Sequence, residues 1–318
     1  MDMAELGILC RRLTESIGSV VVGQDDVVES LLVALFAGGH ILIEGVPGTA
    51  KTLLAHSFAL SLELELKRIQ FTPDLMPGDV VGTNLFNFHT GAFSLTRGPI
   101  FTDILLADEV NRTPPKTQSA LLQAMQERAV TIDGVAHRLS DAFLVIATQN
   151  PIEQEGTYPL PEAQLDRFLL KVLVGFPSLE EEREIVRRHG SRSASPDVAS
   201  LGLPRIADRA VLAEARALCA GVRVGEEIVE YVVALCRATR ASPAILHGVS
   251  PRATNMLATA SRALAAVRGR AFVIPDDVKE LFLPAARHRI VLAPAAELEG
   301  LDSDAALQQV LDAVPAPR

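Results

Sequence analysis

Several features that mark membrane-bound or secreted proteins are absent from this chain. No apolar run approaches the ~18 consecutive residues that a membrane-spanning helix needs. The first residues, Met1 to Glu5, are acidic and lack the basic region of a signal peptide. The three cysteines, Cys10, Cys219 and Cys236, lack the spacing of a metal site, which favours buried reduced thiols. We therefore expect a cytoplasmic protein with no membrane span.

Positive charge and aromatic side chains are also scarce. The chain has 30 Lys and Arg against 39 Asp and Glu, a formal net charge of −9, and aromatic residues make up 4%. A protein that binds nucleic acid usually carries a basic patch with stacking aromatics. The composition therefore argues against a general nucleic-acid binder, although it stays compatible with a narrow basic pore. Hydrophobic residues make up 48% of the 318 residues, enough for two domains with sizeable cores.

One stretch has the pattern of a phosphate-binding loop. The run 40–44 predicts a buried strand and residues 53–60 predict a helix. Between them stand Gly45, Val46, Pro47, Gly48, Thr49, Ala50, Lys51 and Thr52, followed by Leu53. In such a loop, backbone N–H groups and the helix N-terminus bind phosphate oxygens, Lys reaches the β- and γ-phosphates, and Thr ligates Mg²⁺. The alternative is a tight Gly-Pro turn, but the Lys-Thr pair at the helix start favours the binding of ATP and Mg²⁺ by residues 45–53.

Two further features bear on nucleotide binding. Ala50 stands where such loops usually have Gly, and because alanine is strained at positive φ we expect Ala50 to be helical already. Val22 and Gly23 precede an earlier helix and can present backbone atoms to the nucleotide base. A plain loop before a helix explains Val22 and Gly23 equally well.

A second apolar run ends in two carboxylates. Residues 101–107 predict a buried strand, and Asp108 and Glu109 follow directly. An acid pair at a strand end is common, but with the phosphate loop it forms the other half of a nucleotide site. Asp108 is then expected to hold Mg²⁺, directly or through water, and Glu109 to orient and deprotonate the attacking water. Asn150 ends a third buried strand and can sense the γ-phosphate, although its position alone favours a turn residue before Pro151.

The remaining pattern divides the chain into an α/β part and a helical part. Glycines and prolines punctuate residues 72–100, which predicts a β-hairpin insertion, and residues 127–140 predict a second hairpin with an Asp-Gly turn. A polar stretch at 191–205 reads as a linker. Beyond it we predict helices near 208–220, 225–240, 251–267, 275–283 and 303–313.

These motifs together resemble the MoxR family of AAA+ ATPases. The resemblance is carried by EGVPGTAKT (44–52), DEVNRTPPK (108–116), ATQNP (147–151), LPEAQLDRF (160–168), VSPRA (249–253) and RHRI (287–290). It implies a P-loop AAA+ domain, a three-layer parallel-sheet α/β domain with β-hairpin insertions over residues 1–190, followed by a small all-α lid domain over residues 206–318. Ala50 is no anomaly in this family.

The resemblance also implies roles that the pattern alone does not give. Asn150 matches the first sensor, Arg167 the arginine finger and Arg252 the second sensor. Pattern alone reads Arg167 as a surface or capping residue and Arg252 as a surface residue. The hairpins match the helix-2 and pre-sensor insertions. Members form hexameric rings, act as chaperone-like remodelling ATPases on protein clients, commonly with a von Willebrand factor A domain protein, and help metal or cofactor insertion or complex maturation.

Three other functions share parts of this pattern. A nucleic-acid motor has the same fold, but the acidic charge and the lack of an aromatic–basic patch disfavour it. A chelatase-type ATPase subunit that drives metal insertion into a tetrapyrrole is a close relative. A nucleotide-controlled binding module without turnover is disfavoured by the intact Lys51, Asp108, Glu109, Asn150 and Arg167.

Overall fold

The structure is a computed structural model that describes residues 1–88, 91–150, 157–190 and 202–317. Its first part contains α1 (Met3–Gly18), α2 (Asp25–Ala37), β1 (Ile41–Gly45), α3 (Lys51–Ser61), β2 (Leu66–Gln70), α4 (Pro77–Val81), β3 (Gly82–Asn87), β4 (Ala92–Arg97), β5 (Ile104–Asp108), α5 (Pro115–Glu127), β6 (Ala129–Ile132), β7 (Val135–Arg138), β8 (Leu144–Gln149), α6 (Glu162–Leu165), β9 (Leu170–Val174) and α7 (Leu179–His189). A 3₁₀ turn, Val110–Arg112, follows β5.

A five-stranded parallel sheet forms the centre of this part, with the strand order β2-β5-β8-β1-β9. Its strands are continuous apolar runs because both faces are buried. Ile41 and Ile43 of β1 face one core cluster, and Leu42 between them faces the other. Since parallel strands place their carboxyl ends at one edge, β1, β5 and β8 deliver the phosphate loop, the acid pair and Asn150 to the same edge of the sheet.

Both predicted hairpins are present beside this sheet. Strands β3 and β4 pair antiparallel, as do β6 and β7. The second hairpin turns at Asp133 and Gly134, whose φ angles of 48° and 81° are those of a type I′ turn. At the tip of the first hairpin three phenylalanine side chains are exposed, and Phe86 contacts both Phe88 and Phe93 edge-to-face.

The C-terminal part is helical, as predicted, and it also contains a short helix, Pro294–Leu298, and a β-ribbon that were not predicted. It contains α8 (Arg209–Ala220), α9 (Glu226–Ala241), β10 (Ile245–His247), α10 (Pro251–Val267), α11 (Pro275–Ala286), β11 (Val291–Leu292), α12 (Pro294–Leu298) and α13 (Ser303–Ala313). The antiparallel ribbon of β10 and β11 was not predicted, because two or three residues are too few to show a strand periodicity. No helix in the described part of the chain is long and apolar enough to cross a membrane.

The two parts share one hydrophobic core. Helices α1 and α2 contact α10, and one cluster of buried residues runs from α1 through a face of the sheet to α13. Gly7 of α1 lies so close to Gly269 that a Cβ on Gly7 would be 2.7 Å from its Cα. The guanidinium of Arg268 donates to both carboxylate oxygens of Glu29 on α2, at 3.0 and 2.9 Å. The cysteines are buried and free, as predicted. Of the predicted linker, residues 191–201 lie outside the described residues, and the division into 1–190 and 206–318 stays a prediction.

Candidate functional site: a phosphate loop facing an acid pair

The loop between β1 and α3 turns sharply through two left-handed residues. Gly48 has φ 83° and Ala50 has φ 59° and ψ 20°, so the expectation that Ala50 is already helical was wrong. Ala50 is instead the N-cap of α3, and it takes the conformation that glycine would take more easily. The physical reason is the short connection: the chain must reverse from the strand into the helix, and the hydrogen bond from Thr49 Oγ1 to Val46 O (3.0 Å) closes the loop.

Lys51 lies over this loop. Its Nζ donates to the carbonyl oxygens of Gly45 at 2.6 Å and Val46 at 3.0 Å. Partial burial lowers the pKa of Lys51, and the charges of Asp108 and Glu109 oppose this shift. Two backbone carbonyls therefore hold the ammonium of Lys51, and it lies near enough to Asp108 and Glu109 to feel their charges.

The acid pair is fixed by the neighbouring strand β8. Thr148 Oγ1 donates to Asp108 Oδ1 at 2.5 Å and accepts from the backbone N–H of Glu109 at 2.9 Å. Glu109 itself has φ 56°, a left-handed conformation that turns the chain away from β5 directly after Asp108. A strained residue of this kind needs the surrounding hydrogen bonds to hold it.

The edge strand β2 contributes two side chains that sequence reasoning missed. Arg68 donates to Asp108 Oδ2 through Nε at 3.2 Å and Nη2 at 2.7 Å. Gln70 Nε2 donates to Glu109 Oε2 at 2.7 Å, and Arg112 Nη1 donates to the same oxygen at 3.3 Å. Arg68 and Gln70 are two residues apart and thus on one face of β2, but only the pairing of Gln70 with Asp108 in the sheet shows what that face meets.

These groups surround a cavity of about 700 Å³. Its lining contains ten of the predicted residues and three others: Pro47, Gly48, Thr49, Ala50, Lys51, Thr52, Leu53, Asp108, Glu109 and Asn150, with His56, Thr148 and Gln149 in addition. His56 lies four residues after Thr52 on α3, and burial together with the charge of Arg68 lowers its pKa. Residues four apart share one face of a helix, so the spacing of His56 and Thr52 could have predicted that His56 lies in the site.

The lining does not include Val22, Gly23, Gly45 or Val46. Gly45 and Val46 act through their carbonyls on Lys51. Gly23 has φ 73° and lies against α7, where an added Cβ would be 2.4 Å from the carboxylate of Glu181. Contact of Val22 and Gly23 with a nucleotide base therefore stays a prediction.

The two arginines singled out by resemblance also lie outside the cavity lining. Arg167 is half-buried between α6 and β9, and its Nε donates to Gln126 Oε1 on α5 at 3.2 Å. Arg252 is exposed at the second position of α10, which Ser250 caps by accepting from the N–H of Ala253.

The donors of this site fit a magnesium nucleotide. The loop places an ammonium, a left-handed glycine and the N-terminus of α3 around one end of the cavity, a set suited to phosphate oxygens. The Thr52 hydroxyl and the Asp108 carboxylate are hard oxygen ligands, and Mg²⁺ characteristically takes one or two of these plus substrate phosphates and water. The residues present therefore suit both ATP and Mg²⁺.

Comparison with known proteins gives consistent matches over the whole chain. Residues 40–170 match the family model described as ATPase family associated with various cellular activities (AAA), and residues 237–310 match an AAA lid domain. The chain is 44% identical to Chaperone MoxR1 of Mycobacterium tuberculosis, covering 99% of this chain and 84% of that protein, and 31% identical to Protein MoxR of Paracoccus denitrificans, covering 89% and 88%. A crystal structure from Cytophaga hutchinsonii, described as a candidate ATPase, superimposes with a TM-score of 0.90 at 39% identity, covering 99% of this chain and 97% of that one.

Proposed function

Because this chain belongs to the MoxR family of AAA+ ATPases, we propose that it hydrolyses ATP in the cavity between the phosphate loop and the acid pair. One observation carries this proposal: Lys51 and Thr52 at the start of α3 and Asp108 and Glu109 at the end of β5 line the same cavity. A turn with a purely structural role would not require a lysine, a threonine and two carboxylates around one cavity.

Each of these side chains has a separate task. Lys51 neutralises charge on the β- and γ-phosphates. Thr52 and Asp108 hold Mg²⁺, which supplies electrostatic stabilisation of the transferring phosphoryl group. Glu109 orients the attacking water and accepts its proton, and Asn150 at the end of β8 contacts the γ-phosphate. Gln70 holds the Glu109 carboxylate through Oε2.

The active assembly is a ring, which we propose to be a hexamer, in which Arg167 serves the neighbouring subunit. Arg167 lies before the amino end of β9, whereas the cavity lies beyond the carboxyl ends of the strands. An arginine finger supplied in trans stabilises the charge that develops on the transferring phosphoryl group. Arg252 on the helical lid senses the nucleotide of its own subunit.

The client is a protein, and the first hairpin is the surface that we propose to contact it. Phe88 is 88% exposed and Phe93 71% exposed at the tip of this hairpin, and soluble domains rarely present clustered aromatic rings to water without a partner. A von Willebrand factor A domain protein is the proposed partner, and metal or cofactor insertion or complex maturation the proposed outcome. One relative carries the name of a chaperone.

Mixing two inactive variants tests this function. Lys51→Ala removes the phosphate cation and Arg167→Ala removes the finger, so each variant alone should hydrolyse ATP poorly. A mixture should regain activity, because an intact nucleotide site then faces an intact finger, and wild-type specific activity should rise with protein concentration. Absence of rescue, with turnover independent of concentration, would show that Arg167 does not act in trans.

A further inference from the structure

The stretch Arg287, His288, Arg289 and Ile290 between α11 and β11 reaches back to the first domain. The Arg289 side chain is only 2% exposed, and its Nε donates to Asp166 Oδ1 at 2.8 Å. Its guanidinium also donates to four backbone carbonyls: Asp166 at 3.2 Å, Leu169 at 3.2 Å, Phe168 and Ala285. Three of these four carbonyls belong to the segment 166–169, which contains Arg167.

His288 adds a second contact to the same segment. Its ring is buried, and Nε2 lies 3.1 Å from Phe168 O, which as a carbonyl can only accept, so Nε2 is the donor. Burial and the neighbouring Arg289 hold the pKa of His288 well below its ordinary value, so the ring is neutral. Backbone on both sides of Arg167 is therefore hydrogen-bonded to the lid of the same chain.

At its other side, Arg289 contacts the lid helix α10. Its Nη2 lies 3.2 Å from the sulfur of Met256, one helical turn beyond Arg252. Burial lowers the pKa of Arg289 and Asp166 opposes this shift, while the charge of Arg252 is near enough to lower the pKa further. A single buried guanidinium thus links the helix that carries Arg252 to the segment that carries Arg167.

We propose that Arg289 is a positioning residue that sets the direction in which Arg167 is offered to the neighbouring subunit. This inference rests on the proposed role of Arg167 in trans. It means that the lid, which carries Arg252, and the finger of one subunit move as one unit. The guanidinium is suited to this task because its planar fork bonds several fixed acceptors at once, which a lysine ammonium cannot reproduce. An offset of about 1 Å in a catalytic group can cost roughly 10²-fold in rate.

A finger-donor assay isolates this effect. A Lys51→Ala subunit has no working nucleotide site, so in a mixture with Arg167→Ala subunits only its finger is measured. Lys51→Ala should rescue Arg167→Ala, and Lys51→Ala combined with Arg289→Gln should rescue about 10²-fold less in kcat with KM for ATP unchanged. Lys51→Ala with Arg289→Lys should rescue to an intermediate degree, since it keeps the charge but loses the fork.

The matched control is Lys51→Ala with Arg270→Gln. Arg270 is also a lid arginine with a buried partner, Asp277 at 2.5 and 2.8 Å, but it makes no hydrogen bond to segment 166–169. The Arg270→Gln change should damage the lid, yet this double variant should rescue Arg167→Ala as well as Lys51→Ala alone does. Should the Arg289 variant fail to fold, Asp166→Asn in the Lys51→Ala background weakens the same contact more gently, and its rescue should fall in the same direction.

The outcomes separate the two proposals. Equal rescue by the Arg289→Gln or Asp166→Asn donor and by Lys51→Ala alone would overturn the positioning role and leave the finger intact. Equal loss with the Arg270→Gln donor would also overturn it, because general lid damage would then explain the effect. No rescue by Lys51→Ala itself would overturn the action of Arg167 in trans, and this inference with it.

Discussion

Arg68 of β2 and Asp108 of β5 form a two-bonded ion pair across adjacent strands of the sheet. Asp108 is 14% exposed at its side chain and Arg68 is 44% exposed. The guanidinium occupies Oδ2 of the carboxylate that we propose as a magnesium ligand, while Thr148 occupies Oδ1. Mg²⁺ that binds Asp108 through Oδ2 therefore competes with Arg68 for this oxygen.

Arg68→Ala should lower the Mg²⁺ concentration needed for half-maximal ATPase activity at saturating ATP. An ion pair of this exposure is worth about 1 kcal/mol, so the shift should be roughly fivefold. Mn²⁺ binding measured by paramagnetic resonance gives a readout that does not depend on turnover. The control is Lys67→Ala, a neighbouring cation whose Nζ bonds Phe101 O instead. An unchanged or higher Mg²⁺ requirement in Arg68→Ala would exclude this competition.

Glu109→Gln should bind ATP but nearly stop hydrolysis. The amide keeps the size of the side chain but cannot accept the proton of the attacking water, a contribution of roughly 10²–10⁴-fold. Equilibrium binding of a fluorescent ATP analogue and phosphate release measure the two properties separately. Gln70→Ala is the comparison, since it removes the shorter of the hydrogen bonds to Glu109 Oε2, leaves the one from Arg112 and keeps the carboxylate. Turnover by Glu109→Gln at the parent rate would assign the base to another group.

Substitutions at Ala50 should change stability with opposite signs. The left-handed conformation costs an L-residue roughly 1–2 kcal/mol, whereas glycine takes it freely but gains entropy when unfolded. Ala50→Gly should therefore raise the free energy of unfolding by about 0.5–1 kcal/mol. Ala50→Val should lower it, because a branched side chain is strained further at positive φ. Urea denaturation of the three proteins checks this, and a loss of stability in Ala50→Gly would contradict the conformation found here.

Stability should fall as the pH is lowered, in part through His40. The buried ring accepts from the N–H of Val145 and donates to Met125 O, both at 3.0 Å. Burial lowers its pKa to about 4 from 6.5. Between pH 4 and pH 6.5 the unfolded chain binds a proton that the folded chain excludes. The contribution of the neutral His40 ring to the free energy of unfolding is therefore complete above pH 6.5. It is lost as the pH falls toward 4, by about 3 kcal/mol at most.

Urea denaturation at pH 7.5 and pH 5 measures this effect. His40→Gln should show a smaller difference between the two pH values than the parent protein. Some dependence should remain, since the pKa of His288 is lowered in the same direction. Exposed His247 provides the control variant His247→Gln, which should keep the parent difference. Identical pH dependence in His40→Gln and the parent would argue against a neutral buried ring.

The parts of this molecule that could be predicted from the sequence are those encoded locally. The helix predicted near 251–267 matches α10, whose start is determined by Ser250 and Pro251. The serine accepts from a first-turn N–H, and the N–H that proline lacks is one that the first turn leaves without a helical partner. The Asp133-Gly134 turn and the strand that ends in Asp108 were predicted on equally short-range grounds. In each case a few neighbouring residues determine the backbone.

What could not be predicted depends on contacts between distant segments or on strain. The bonds from Arg68 and Gln70 to the acid pair require the order of β2 beside β5, which no local pattern contains. Ala50 was placed wrongly because propensity disfavours its conformation, and tertiary context overrides propensity. The contacts of Arg289 with residues 166–169 join two segments that lie far apart in the sequence.

The core shared by the N-terminal helices and the lid has a consequence for synthesis. A ribosome releases α1 and α2 long before α10, which covers their apolar faces in the finished protein. Throughout that interval residues such as Leu6, Leu31 and Leu35 lack their final partners. A nascent chain with uncovered apolar surface is prone to aggregate. The growing chain is therefore expected to need a holding chaperone until its last third has been translated.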